Sequence, residues 1–226
     1  MRAAAVLFDS FGTLFEVEPL RERLVCIGLA PRELEVWLAR TFRDGIALSA
    51  TGTFRMFHEV ASSALKTLIA ELGNRPDPEK VQDVLTGFGE LTPAKDMKLA
   101  MEQLRQAGSQ LAVLTNASAM TAKTLLAKAG TLELVERVFS VDEVGHWKPF
   151  PQPFQHAAQL LRFEPERIAY VSSDPWEVQG ARATGLFGIL LQRRGGHHQP
   201  AMPPPDLTIA SLSELAQVGL HFDPTA

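Results

Sequence analysis

The stretch Ala3-Ala4-Ala5-Val6-Leu7-Phe8-Asp9-Ser10-Phe11-Gly12-Thr13-Leu14-Phe15 decides how the rest of the chain is read. It opens as an apolar run, Ala3 to Phe8, long enough for one buried strand, and a carboxylate stands where that run stops. Gly12 and Thr13 then supply a turn. In an open parallel sheet, ligands bind beyond the carboxyl ends of the strands, so Asp9 falls where a site belongs. Turns also favour acids and glycines for local reasons. Asp9 therefore takes its meaning from the polar groups at the other strand ends.

Immediately downstream the pattern turns helical. Leu34, Trp37, Leu38 and Phe42 recur at helical spacing, as do Phe54, Phe57, Val60, Ala61 and Ala64. Pro31 is placed like a first-turn residue. Gly73-Asn74-Arg75-Pro76-Asp77-Pro78 reads as an inter-helix loop. Residues 16–91 are expected to form a helical cap domain inserted after the first strand.

From Leu91 the pattern alternates. Helices are expected over Met97 to Ala107, Thr121 to Ala129, Phe154 to Leu161 and Trp176 to Thr184. Strands are expected at Gln110 to Leu114, Val138 to Ser140, Ile168 to Val171, Gly188 to Leu191 and Leu207 to Ile209. Strands alternating with helices imply a parallel sheet with right-handed crossovers. Residues 1–15 and 92–226 then make one α/β core domain, doubly wound and Rossmann-like.

Composition narrows the function classes. The 226 residues carry a formal net charge of -4, with 46% hydrophobic and 21% charged residues. No basic patch marks a nucleic-acid partner or an anionic membrane surface. A single cysteine, Cys26, excludes an intramolecular disulfide, has no CxxC company for zinc, and reads as a small apolar residue of the cap. No signal-peptide pattern opens the sequence, and no apolar run reaches the ~20 residues that span a bilayer. A soluble cytoplasmic protein is the expectation.

Polar groups collect at successive strand ends: Asp9, then Thr115 and Asn116, then Ser172, Ser173 and Asp174. Lys148 precedes a helix in Trp147-Lys148-Pro149. Each has an ordinary structural reading, since hydroxyls and Asn cap helices and a lone lysine is usually solvated. Together at one sheet edge they offer a carboxylate nucleophile, a cation to pair with it, and neutral donors, the parts of a covalent-catalysis site.

Four ordered segments resemble the haloacid dehalogenase superfamily over nearly the whole chain: Phe8-Asp9-Ser10-Phe11-Gly12-Thr13-Leu14-Phe15, Leu114-Thr115-Asn116, Trp147-Lys148-Pro149, and Val171-Ser172-Ser173-Asp174-Pro175-Trp176-Glu177 with Gly180-Ala181-Arg182. The closing Pro205 to Ile209 and Ser211 to Leu215 are similar to its last strand and helix. Most of the superfamily hydrolyses phosphate esters with magnesium and places a proton-donating aspartate two residues after the nucleophile. Here that position is Phe11, and Ser173 stands where a metal-binding aspartate is usual. Both departures resemble the 2-haloacid dehalogenase branch, as do Trp176 and the acid at 177. Halide leaves without a proton, so Phe11 is no handicap, and an aromatic there also desolvates the nucleophile.

The resemblance implies a role for each matching residue. Asp9 attacks the halogen-bearing carbon and forms an ester, and Thr13 with backbone groups around Ser10 holds its carboxylate. Thr115 and Ser172 hydrogen-bond the substrate carboxylate or the nucleophile, and Asn116 receives the departing halide. Lys148 pairs with Asp9 and keeps it ionised. Arg43 is the candidate cap arginine that meets the halide, with Arg40 and Arg55 as competitors. Asp174 or Glu177 orients or activates the hydrolytic water. Phe11, Phe154 and Trp176 line the substrate site, with Phe154 replacing the branch's usual tyrosine.

No cofactor is expected. The dehalogenases usually carry Asn where this chain has Asp174, however, and Asp where it has Glu177. If a magnesium ion bound, Asp9, Asp174 and Glu177 would be its ligands, and the protein would be a phosphatase of the same superfamily. A non-catalytic descendant binding a small anion or a protein is a third reading. The organic-acid substrate is the only expected partner besides a second copy of the chain, since cap-bearing α/β hydrolases often dimerise. His197 and His198 sit in a Gly-Pro loop and read as solvated. Arg193-Arg194 reads as a solvated strand end, and His146 adjoins the lysine segment without an assigned role.

Overall fold

A computed structural model describes residues 3–193 and 200–218. The first strand, β1 (Ala5–Phe8), is wholly buried and is followed by a short strand β2 (Phe15–Glu16). Helices α1 (Pro19–Cys26), α2 (Glu33–Ala50), α3 (Phe57–Glu71) and α4 (Pro78–Thr86) then run without an intervening strand. Strand β3 (Thr92–Pro93) pairs antiparallel with β2, so the chain leaves and re-enters the sheet region through a two-stranded ribbon. Pro31 lies before α2 and not in its first turn, and Cys26 is exposed at the end of α1, outside the core.

The remainder alternates. It comprises α5 (Met97–Gln106), β4 (Gln110–Thr115), α6 (Ala119–Lys128), β5 (Arg137–Ser140), α7 (Pro151–Leu161), β6 (Ile168–Ser172), α8 (Pro175–Ala183), β7 (Phe187–Leu191), β8 (Leu207–Ile209) and α9 (Leu212–Val218). Helix α7 begins three residues before the apolar periodicity does, because Pro151 and Pro153 sit in its first turn, where no intrahelical N–H bond is lost.

Six strands form one sheet in the order β5-β4-β1-β6-β7-β8, every neighbouring pair parallel. The order reverses around β1, the topological switch point of a doubly wound sheet. Side chains alternate between its faces. Val6, Phe8, Leu111, Val113 and Val171 face the core that includes α5, α6 and α9. Leu7, Leu114, Phe139, Tyr170 and Ile168 face α7 and α8. The three central strands thus end side by side, and the residues at or just past their ends are Asp9, Thr115-Asn116 and Ser172-Ser173-Asp174.

The helical insertion is clamped to this edge by aromatic packing. Trp147 is fully buried. Its indole N–H donates to the Arg55 carbonyl at 2.9 Å, and its backbone N–H donates to Ser49 Oγ at 3.0 Å. Its ring lies so close to α2 that a Cβ on Gly45 would come within 2.5 Å of it. No side chain fits there. The residue before Lys148 is in this way fixed to the insertion, which couples the position of that lysine to the helices above it.

Candidate active site

Asp9 emerges from β1 into a tight loop. Gly12 adopts φ +80, where a side chain would be strained and a Cβ would meet Ser173 Oγ at 2.9 Å. The backbone N–H groups of Leu14 and Phe15 both donate to the Ser10 carbonyl, closing the turn. This brings Thr13 back beneath Asp9. Thr13 Oγ1 donates to Asp9 Oδ2 at 3.0 Å and accepts the Ser173 backbone N–H at 3.0 Å, tying the β1 and β6 loops together.

The other carboxylate oxygen meets a cation. Lys148 Nζ, with no exposed surface, lies 2.7 Å from Asp9 Oδ1 and 2.9 Å from Glu177 Oε2. It also reaches the Leu114 carbonyl at 2.9 Å and the Tyr170 hydroxyl at 3.0 Å, so three N–H bonds are shared among four acceptors. Glu177 is equally enclosed. Its Oε2 accepts from Tyr170 at 2.5 Å and Ser172 at 3.1 Å as well as from Lys148, and its Oε1 accepts from Asn116 at 3.2 Å. Asn116 closes the circuit by accepting the Lys148 backbone N–H at 2.9 Å. Such a network is tolerable in low dielectric because each member has a partner.

Burial alone pulls the Lys148 ammonium towards its neutral form, but Asp9 and Glu177 reverse this and hold its pKa above the ordinary lysine value. For Glu177, burial first and the charge of Asp9 second push the carboxyl up to about 8, against the pull of Lys148. Asp174 differs from both. It lines an open pocket, and burial, then the charge of Asp9, raises it to about 7, opposed by Lys148 and by its hydrogen bond with Trp176.

That pocket has a volume of about 520 Å³. Phe11, Gly12, Ser173, Asp174 and Trp176 form its sheet side, and Leu38, Ala39, Phe42 and Ile46 of α2 its opposite wall. Phe11 serves two ends. It borders the pocket while stacking on Phe88 at 5.2 Å and meeting Phe57 edge-on at 5.7 Å.

Several expected roles change once the geometry is known. Arg43 does not reach the site: it is mostly exposed and pairs with Asp44 at 2.8 Å. The α2 residues facing the pocket are 35, 38, 39, 42 and 46, and position 43 is rotated about 100° past Phe42. Arg40 pairs with Glu71, and Arg55 meets the Phe54 carbonyl, so neither competitor lines the pocket. Phe154 is not substrate-facing either. It is fully buried between α7 and the sheet, edge-on to Tyr170 at 5.1 Å.

Thr115 bonds Ser10 Oγ at 2.7 Å and receives the Ala117 backbone N–H, while Ser172 serves Glu177 and the Asp174 backbone N–H. Neither hydroxyl touches Asp9. Glu177 anchors Lys148 and does not border the pocket, which leaves Asp174 as the accessible acid of the pair. Arg193 is no solvated end: it pairs with Asp96 at 2.8 Å and donates to the Thr13 carbonyl at 3.2 Å. His146 meets the Val144 carbonyl. Arg194, His197 and His198 lie outside the described residues.

Tyr170 is the member that sequence reasoning missed. Its place in an apolar strand reads as core, and only the alternation that points it to the face of Leu114 hints at its reach to Lys148. As a magnesium ligand set, Asp9, Asp174 and Glu177 do not fit. Both Glu177 oxygens are taken by donors, and the Lys148 ammonium stands between Glu177 and Asp9. Among the described residues, no three His, Cys, Asp or Glu side chains are grouped to hold a metal ion, and no helix is long and apolar enough to cross a membrane.

Comparison with known proteins extends this picture. The profile of the haloacid dehalogenase-like hydrolases matches residues 3–185. An (S)-2-haloacid dehalogenase from Pseudomonas sp. (strain CBS-3) is 26% identical over 220 residues, covering 96% of this chain and 97% of that protein. The (S)-2-haloacid dehalogenase of Xanthobacter autotrophicus is 28% identical over 184 residues, 80% of this chain and 72% of that one. Among solved structures, the L-2-haloacid dehalogenase of Xanthobacter autotrophicus with chloropropionic acid covalently bound superposes with a TM-score of 0.88. It is 23% identical and covers 95% of this chain and 97% of its own. At that identity the likeness speaks for the fold.

Proposed function

Because this chain belongs to the haloacid dehalogenase-like hydrolases, we propose that it hydrolyses the carbon–halogen bond of a 2-haloacid through an ester on Asp9. The observation that carries this reading is the Asp9 carboxylate held between Lys148 and Thr13 at the end of β1, with no proton donor at position 11. Residues 16–91 act as the cap that closes over it.

One Asp9 oxygen displaces halide from carbon 2. The carbon–oxygen bond forms as the carbon–halogen bond breaks, and the halide carries away the electron pair. No proton is required, so the apolar Phe11 suits the step. Lys148, fixed by Glu177, Tyr170 and Leu114, keeps the nucleophile oriented at no cost in reorganisation during the reaction. Water then attacks the carbonyl carbon of the Asp9 ester. One of its protons passes to Asp174, the acid that faces the pocket, and from there to the leaving oxygen as the acyl carbon–oxygen bond breaks. The 2-hydroxy acid departs with the original Asp9 oxygen, and the second proton is released as Asp9 regains its carboxylate.

A general base works best with a pKa near the operating pH, and Asp174 is held at about 7. A raised carboxyl loses its proton only as pH climbs through its pKa, and the neutral Asp9 ester no longer contributes the charge that helps raise Asp174. The kcat is therefore expected to rise with pH to a half-maximum below 7. The Asp174→Asn variant should lose this limb, with kcat reduced by roughly 10²–10³-fold. It should also accumulate the ester, seen as added mass on the intact protein. An unchanged pH profile would remove Asp174 from the mechanism.

Halide release from 2-chloropropanoate and 2-bromopropanoate, set beside phosphate release from phosphate monoesters with and without magnesium, tests the reaction class. Halide release alone is expected. Magnesium-stimulated phosphate release without halide would overturn the reading.

A further inference from the structure

The pocket against Asp174 is larger and more apolar than a three-carbon acid requires. The volume of this open cleft, about 520 Å³, falls in the ~300–1,000 Å³ range of small-molecule sites. A halopropanoate has only a few heavy atoms. The excess space is bounded by Val17, Leu38, Ala39, Phe42, Ile46 and Trp176.

Charge sharpens the point. Among the described residues, neither lysine nor arginine lines the pocket. The arginines of α2, Arg40 and Arg43, are paired elsewhere, and the buried Lys148 is saturated by its four partners. The pocket's acids are Asp174 and Glu35, and Glu35 is turned to Arg21 at 2.5 Å. A second anionic group placed here would find no cation among the described lining residues and would lose its hydration. Phe42 packs on Trp176 with ring centroids 5.3 Å apart, so the wall is a continuous apolar surface that ends at the segment carrying Asp174.

From this shape and charge we infer that the preferred substrate is a 2-haloacid bearing an extended, uncharged alkyl chain, which lies along the α2 wall while carbon 2 faces Asp9. The inference rests on the reaction proposed above and adds the substrate class.

Halide release is to be measured for 2-bromopropanoate, 2-bromoheptanoate and 2-bromoheptanedioate. Each buried methylene is worth about 0.8 kcal/mol, roughly fourfold, so four of them should raise kcat/KM on the order of 100-fold from propanoate to heptanoate. The dioate, equal in length but charged at its far end, should do no better than propanoate. Propanoate as the best substrate, or heptanoate and heptanedioate performing alike, would overturn the inference while leaving the reaction intact.

If no compound releases halide, the reaction itself fails. Binding of heptanoate, propanoate and heptanedioate, followed by tryptophan fluorescence, then decides the pocket separately, with heptanoate expected to bind tightest and equal binding counting against it. Ala39→Phe should lower the heptanoate-to-propanoate ratio of kcat/KM more than tenfold. Ile46→Ala should lower it several-fold, and that variant serves if the larger side chain prevents folding. An unchanged ratio in a folded variant would contradict the assignment.

Discussion

The Asp9→Asn variant loses halide release by on the order of 10⁴- to 10⁶-fold in kcat/KM, the range expected when a nucleophile that works as part of a unit is removed. The amide is nearly the same size and still offers an oxygen to Lys148, so the surrounding packing has no reason to change. Lys148 keeps Glu177, Tyr170 and Leu114 as partners. The variant should therefore melt within a few degrees of the parent, and halide assays on the two proteins compare like with like. Retention of more than a hundredth of the activity would mean that water, and not Asp9, attacks the substrate.

Lys148→Met has the second large effect, and it falls on stability as well as on activity. The parent ammonium has no exposed surface and separates two carboxylates that are themselves buried. Removing one partner of such an arrangement strands uncompensated charge and costs about 3–5 kcal/mol. For a chain of this size that is roughly 10 °C in Tm. The loss should depend on pH with a definite sign. Without the cation, Glu177 is pushed further up than the value of about 8 it holds in the parent. The folded state then binds more protons than the unfolded chain between pH ~4.3 and that raised value. Stability falls as pH rises wherever the native state binds the extra proton. Parent and variant share that slope up to about pH 8, so the variant's extra loss should be level from pH 5 to about 8 and grow from there towards pH 9. Adding Glu177→Gln should recover much of the stability and none of the activity. Thermal melts across that pH range check both claims, and a pH-independent loss would show that packing alone is at stake.

Much of this arrangement is legible in the sequence because it rests on local rules. An apolar run ended by Asp9, and strands ended by Thr115-Asn116 and Ser172-Ser173-Asp174, place polar groups at one edge once the strands are parallel. The six-stranded sheet arises from the same alternation. What is not legible depends on distances across the fold. Tyr170 looks like one more core residue of β6 until Lys148 arrives from a loop more than twenty positions earlier. Glu177 and Asp174 are three positions apart, yet one turns under the sheet edge towards Lys148 and the other faces the pocket.

Two misreadings have simple geometric causes. Phe154, Ala157, Ala158 and Leu161 repeat at the spacing of a buried helix stripe, a signal that outweighs position 154's resemblance to a substrate residue. Arg43 is a charged residue of the right helix, but one residue of phase error rotates a side chain about 100° around the axis. Ala39 and Phe42, at the correct phase, carry no charge. The apolar character of the pocket is thus written in α2, though it becomes readable only when the facing wall of Phe11 and Trp176 is known.

The central claim is an ester on Asp9, and a single turnover in oxygen-18 water tests it most directly. With enzyme in excess over 2-bromoheptanoate, the peptide containing Asp9 should gain the heavy isotope, and the 2-hydroxy acid should carry ordinary oxygen at carbon 2. Label in the product with none in the Asp9 peptide would show direct displacement by water and contradict the account.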